Sequence, residues 1–80
     1  TRCLARALAP DIRVNAVAPG LTRTAWTDPW KKGSKQLSIE ASLLKRMVEP
    51  EDIAQGILFL AVNPAITGQT VVLDNGRLPT

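Results

Sequence analysis

Apolar residues along this chain follow two different periods. Between residues 49 and 62 they recur three and four apart: Ile53, Ile57, Leu60 and Ala61 repeat along one side, and Ala54, Leu58 and Phe59 widen it. That spacing predicts a helix whose apolar face is too broad for a single contact, so it packs on a sheet and on a second neighbour. Its start is marked as well. Pro50 suits the first helical position, where a missing N–H costs nothing, and Glu51 and Asp52 bring carboxylates to the positive end of the helix dipole. Asn63-Pro64 ends the element. Residues 12–17 alternate instead. Ile12, Val14 and Ala16 point one way, and Arg13, Asn15 and Val17 the other. Apolar side chains on both faces predict a strand covered on both sides, as in a parallel sheet, stopped by Pro19-Gly20. Residues 69–73 are rich in β-branched side chains and predict a second strand, followed by a turn at Asp74-Asn75-Gly76. Residues 1–9 read as the end of a helix, with Leu4 and Leu8 four apart and Pro10 as its stop. Residues 21–48 are the least regular. A short helix over 38–45 is predicted there, with Leu37, Ala41 and Leu44 along one side.

The order helix–strand–loop–helix–strand is an α/β alternation. Two strands do not make a stable parallel sheet by themselves, so the strand over 12–17 asks for partners that this chain does not contain. With 80 residues there is room for one small domain at most. A hydrophobic fraction of 45% excludes a disordered chain. The longest apolar run, residues 57–62, falls far short of the ~20 residues that cross a bilayer, so no membrane partner is expected. The first residue is Thr1 and no basic-then-apolar leader follows it; the chain is expected to start inside something longer.

The formal charge is +3. Basic residues are scattered, apart from Lys31, Lys32 and Lys35 in one loop, and no basic stripe with interleaved aromatics exists, so nucleic acid is not an expected partner. The lysine cluster either solubilises the loop or attracts an anionic cofactor or substrate. There is no histidine and one cysteine, Cys3. A nitrogen- or sulfur-ligated metal site is therefore not expected, and a lone thiol fits a reducing compartment such as the cytoplasm. Cys3 reads as a small core residue rather than a nucleophile, since nothing near it in sequence would activate it.

Three segments carry a family resemblance: LAPDIRVNAVAPGLTRT at residues 8–24, EPEDIAQGILFLA at 49–61 and ITGQTVVLDNG at 66–76. In this order and spacing they resemble the C-terminal portion of a classical short-chain dehydrogenase/reductase. The match covers nearly the whole chain apart from the loop over 25–43. It implies residues 1–80 as the C-terminal portion of one Rossmann-type domain, a doubly wound parallel sheet flanked by helices, with residues 25–44 as a substrate lid. Cofactors in such sheets sit beyond the carboxyl ends of the strands, where the Pro-Gly turn lies. The resemblance implies that Pro19 packs near a nicotinamide ring and that Gly20 lets the backbone come close to it. It further implies that the backbone of Leu21 and Thr22 offers N–H and C=O groups to the carboxamide, and that the Thr24 hydroxyl hydrogen-bonds the cofactor. An exposed backbone edge has both the donors and the acceptors that a carboxamide requires.

Each of these residues also has a plainer role. Pro-Gly is first of all a turn, Thr24 a turn or cap hydroxyl, and Asn15 a satisfier of nearby backbone groups. Trp26 and Trp30 either pack the loop or line an apolar substrate pocket; both readings stand. The resemblance implies NAD or NADP as cofactor, a small-molecule substrate, interconversion of an alcohol and a ketone, and a homo-oligomer, dimer or tetramer, built through the last helix and strand. It also shows what the sequence lacks. There is no Gly-x-x-x-Gly-x-Gly phosphate loop, no residue selecting NAD or NADP, and no tyrosine, so the family's general acid/base is missing and no catalytic residue is assigned. Two smaller departures remain. Asn75-Gly76 stands where relatives often carry Gly-Gly, and Asn tolerates positive φ better than most residues; Val48 stands where many relatives have Gly, which affects local loop geometry. A rival reading is a non-catalytic assembly module derived from the same fold.

Overall fold

The computed structural model describes residues 1–23 and 32–77. Its elements are α1 (Arg2–Leu8), β1 (Ala16–Pro19), α2 (Lys32–Ala41), α3 (Pro50–Val62) and β2 (Thr70–Leu73). The strands pair in parallel, Ala16 opposite Thr70 through Pro19 opposite Leu73. A parallel pair needs a long crossover; α3 ends that crossover and packs on both strands.

The first strand begins four residues later than the alternation predicts and runs on through Pro19. Side chains explain the late start. The Val14 N–H donates to Thr67 Oγ1 (3.1 Å), and Asn15 spans the gap by donating from Nδ2 to the Ile66 carbonyl (2.9 Å) and accepting from the Gln69 N–H (3.1 Å). These bonds replace a regular ladder, which starts where the Ala16 N–H meets the Gln69 carbonyl at 2.9 Å. Asn15 is thus the structural residue it was read to be. At the other end, the N–H groups of Ala16 and Gly20 face β2, so the nitrogen of Pro19 faces away and its missing hydrogen costs no ladder bond.

The predicted helix over 49–62 is observed as α3 with Glu49 as its N-cap. The Asp52 carboxylate accepts the Glu49 N–H at 2.9 Å, which serves an amide that the first turn leaves without a helical partner. Arg13, unremarkable in the sequence, closes the opposite end. Its guanidinium donates to the carbonyls of Leu60 (2.8 Å), Ala61 (2.7 Å) and Ile66 (3.1 Å). A cation there meets the negative end of the helix dipole and satisfies its last carbonyls. Gly56 lets α3 sit close to the sheet: a Cβ on it would lie 2.6 Å from Leu73 Cδ1.

Two local expectations are corrected. The helix within the irregular stretch is Lys32–Ala41, not 38–45. It stops where Ser42 donates from both its N–H and its hydroxyl to the Ile39 carbonyl. The N–H groups of Leu43 and Leu44 are then drawn to the carbonyls of Gly76 and Asn75, and Lys45 reverses the chain at φ 54°. Cys3 is exposed rather than in the core. The residue of α1 that packs is Ala5, whose methyl lies against Gly68, while Leu4 stays exposed.

The buried set among the described residues is small: Ala5, Met47, Val48 and Leu60, with Ser42. Ile57, Leu58, Phe59 and Val62 of α3 are more than half exposed, as is Val72 of β2. A groove of about 310 Å³ opens between β1 and α3, lined by Arg13, Val17, Ile57 and Leu60 among others. The broad apolar face of α3 is therefore covered on the sheet side only. No described helix is long and apolar enough to cross a membrane.

Candidate functional site

The Pro19-Gly20 step leaves the sheet at the carboxyl ends of both parallel strands, and the backbone that follows is held on two sides. On one side, the Gly20 N–H donates to the Leu73 carbonyl at 2.9 Å, and a Cβ on Gly20 would lie 2.8 Å from Asp74 Cα. Glycine is needed here for room. Its φ is not in the left-handed region, unlike those of Gly68 and Gly76. On the other side, residues 21–23 pair with Val48. The Val48 N–H donates to the Leu21 carbonyl (3.0 Å) and the Arg23 N–H donates to the Val48 carbonyl (2.8 Å), which makes Thr22 a parallel bridge partner of Val48. Val48 is 2% exposed, the most buried of the large side chains among the described residues. Its part is therefore larger than the local loop geometry expected of it: it is the post on which the segment after β1 is hung.

Within this frame Pro19 is exposed, Gly20, Leu21 and Thr22 are half-buried, and the Thr22 hydroxyl donates to the Gly20 carbonyl at 2.9 Å. The structure thus brings Pro19, Gly20, Leu21 and Thr22 together at one sheet edge. Thr24, Trp26 and Trp30 lie outside the described residues. An ion pair from Arg23 Nε to Glu49 Oε1 (2.9 Å) ties the segment to the N-cap of α3.

A second cluster went unread in the sequence. Arg46 donates from Nη1 to Asn75 Oδ1 (2.7 Å) and from Nη2 to Asp52 Oδ2 (2.8 Å), and Asn75 returns a bond from Nδ2 to the Arg46 carbonyl (2.8 Å). Asn75 sits at φ 56°, as its tolerance for that region led one to expect. The signal that was available is the Asn-Gly turn itself; nothing in the spacing pointed to Arg46. The Glu49 N–H, and then Arg46, hold the Asp52 carboxyl below its ordinary 3.8. A carboxyl whose pKa is lower folded than unfolded stabilises the fold when ionised, and that contribution fades as the pH falls through the folded value. Asp52→Asn is therefore expected to flatten the loss of stability below pH 3.8 and to leave its pH dependence unchanged above neutrality. Urea midpoints across an acid pH series check this. Among the described residues, no group of three or more metal-ligating side chains forms.

Comparison with known proteins places this arrangement. The family model described as enoyl-(acyl carrier protein) reductase matches residues 1–77. The short-chain dehydrogenase/reductase homolog YusR of Bacillus subtilis (strain 168) is 40% identical over 77 residues, covering 96% of this chain and 59% of the relative. A small-chain dehydrogenase in complex with NADPH matches at 34% identity and a TM-score of 0.83, over 96% of this chain and 36% of that one. A 4-hydroxyisoleucine dehydrogenase complexed with NADH matches at 29% identity and a TM-score of 0.88, over 96% and 34%. The chain thus spans 59% of the length of the bacterial relative and about a third of these solved structures. A match that runs from α1 to beyond β2, with the three sequence segments and the parallel strand pair in the same order, leaves one conclusion: this chain belongs to the short-chain dehydrogenase/reductase family.

Proposed function

We propose that this chain is the part of an NAD- or NADP-dependent oxidoreductase that orients the nicotinamide, closes over a small-molecule substrate and builds a subunit contact. The enzyme interconverts an alcohol and a ketone, or reduces a related C=O, C=N or C=C group, by hydride transfer. The observation that carries this reading is the backbone of residues 20–23, clamped from both sides at the carboxyl ends of two parallel strands, where ligands of open α/β sheets bind. The residues fit the group. Pro19 presents an exposed apolar ring to one face of the nicotinamide. The carbonyl of Leu21 keeps a second lone pair beyond its bond to Val48, and the backbone of Leu21 and Thr22 offers the carboxamide its mix of donors and acceptors. The Thr24 hydroxyl adds a hydrogen bond to the cofactor. The nicotinamide, when bound, gives or takes the hydride; the protein's part here is to fix which face of the ring meets the substrate.

Structures bound to NADPH and to NADH both match this chain closely, so the choice of cofactor rests on residues outside it. Trp26 and Trp30 are assigned to an apolar or ring-shaped substrate under the lid formed by residues 25–44. The exposed face of α3 and Val72 of β2 support a homo-oligomer, dimer or tetramer, and the reading as a whole points to a cytoplasmic enzyme. The same exposed face favours the second reading, an assembly module without catalysis. Sequencing the DNA upstream of the Thr1 codon separates the two. An in-frame Tyr-x-x-x-Lys shortly before Thr1 is expected, and a start codon adjoining Thr1 would favour the assembly module.

A further inference from the structure

The two clamps on residues 20–23 are joined by the amides of Leu43 and Leu44, which donate to the Gly76 and Asn75 carbonyls, and, nearer to Val48, by the side chains of Arg46 and Asn75. Gly20 rests on Leu73 and Asp74 at the end of β2, and residues 21–23 hang on Val48. Asn75 follows the first support directly, and Arg46 lies two residues before the second. The bonds between them, from the Arg46 guanidinium to Asn75 Oδ1 and from Asn75 Nδ2 back to the Arg46 carbonyl, close a ring that runs from Gly20 through Asp74, Asn75, Arg46 and Val48 back to Leu21. Asp52 adds a second acceptor for the same guanidinium and ties the ring to the first turn of α3.

We propose that Arg46, held by Asn75 and Asp52, is a positioning residue for the nicotinamide: it sets the spacing between the two supports of the segment that faces the cofactor. The inference rests on the proposed cofactor role of residues 20–23. Arg46 touches neither cofactor nor reacting atoms. It acts by keeping Val48 in register with the turn at Asp74-Asn75, so that Leu21 and Thr22 present their backbone groups at one fixed height. A planar fork suits this task, because it reaches two acceptors on different elements at once, which an ammonium group does less well. The interaction is half exposed, so its energetic weight is that of a surface pair and its effect lies in geometry rather than stability.

The test uses the complete protein that carries this chain, with two variants. Arg46→Met keeps the aliphatic stem and removes the fork. Asn75→Gly removes the side chain while keeping a residue at ease at φ 56°, so it stays informative even if Arg46→Met folds poorly. Each variant is expected to raise the KM for the nicotinamide cofactor about fivefold, with kcat within about twofold and thermal midpoints near the parent value. Amide exchange at Val48 and Arg23 is expected to speed up in parallel, a readout that needs no turnover. Unchanged cofactor KM and unchanged exchange in both variants overturn the positioning role. A fall in thermal midpoint and in active fraction at constant KM also overturns it, since that marks a purely structural residue. If the unmodified protein binds neither NADH nor NADPH, the cofactor reading itself fails; if it binds and the variants match it, only the role of Arg46 fails.

Discussion

Gly20→Val is expected to lower the urea midpoint of the complete protein that carries this chain by on the order of 1 M, from a loss of about 1–3 kcal/mol through overpacking. A Cβ at this position meets Asp74 Cα and Cβ at 2.8 Å each, and the first of these is backbone. Rotating a side chain does not relieve such a contact. Either the end of β2 moves away or the Gly20 amide leaves the Leu73 carbonyl, and both undo the strand pair at the edge where the candidate site lies. Gly20→Ala is expected to show the same effect at smaller size. Because φ at Gly20 is not left-handed, the penalty comes from crowding, so a midpoint for Gly20→Ala equal to the parent's would refute the close-approach account. The glycine is thus explained by the neighbouring strand before any cofactor is considered.

The 80-residue chain alone is expected to show no turnover with any alcohol or ketone in the presence of NAD(H) or NADP(H), which is the largest effect anticipated. Hydride transfer to a carbonyl requires a proton for the oxygen, and in this family a tyrosine supplies it; the sequence has none. Lys31, Lys32 and Lys35 lie in the segment proposed as a lid, not in the helix that carries the family's catalytic lysine, and are not expected to replace it. The phosphate-binding glycine loop is missing too, so the cofactor is left without its main anchor. Following nicotinamide absorbance with purified chain across a panel of ketones and alcohols decides the matter, and cofactor-dependent turnover above the blank would refute it.

The bounds of the helix over 49–62 were legible, because their signals are local: a proline at the first position, two carboxylates in the first turn and an apolar period of 3.6; the second neighbour expected for its broad apolar face is not among the described residues. The second strand was legible to within one residue, and Asn75 was rightly expected to take up positive φ. The first strand was misplaced because alternation records which faces are apolar and carries nothing about which amides find a partner. Asn15 and Thr67, fifty-two positions apart in the chain, decide where its ladder begins. The helix α2 was misplaced for a similar reason: the amides of Leu43 and Leu44, predicted to continue it, are captured by the turn after β2.

The sequence by itself thus determined the α/β order, the bounds of the last helix and the place of the Pro-Gly step at a strand end, since each depends on contacts within a few residues, and its three motif segments pointed to the family. Only the tertiary structure decided that Gly20 is required by Asp74, that Val48 holds the segment after β1, that Arg13 closes α3 and that Arg46 joins the two supports. Those roles arise between residues brought together from distant parts of the chain. Hydrogen bonding and close packing act on distance in space, which sequence spacing does not record.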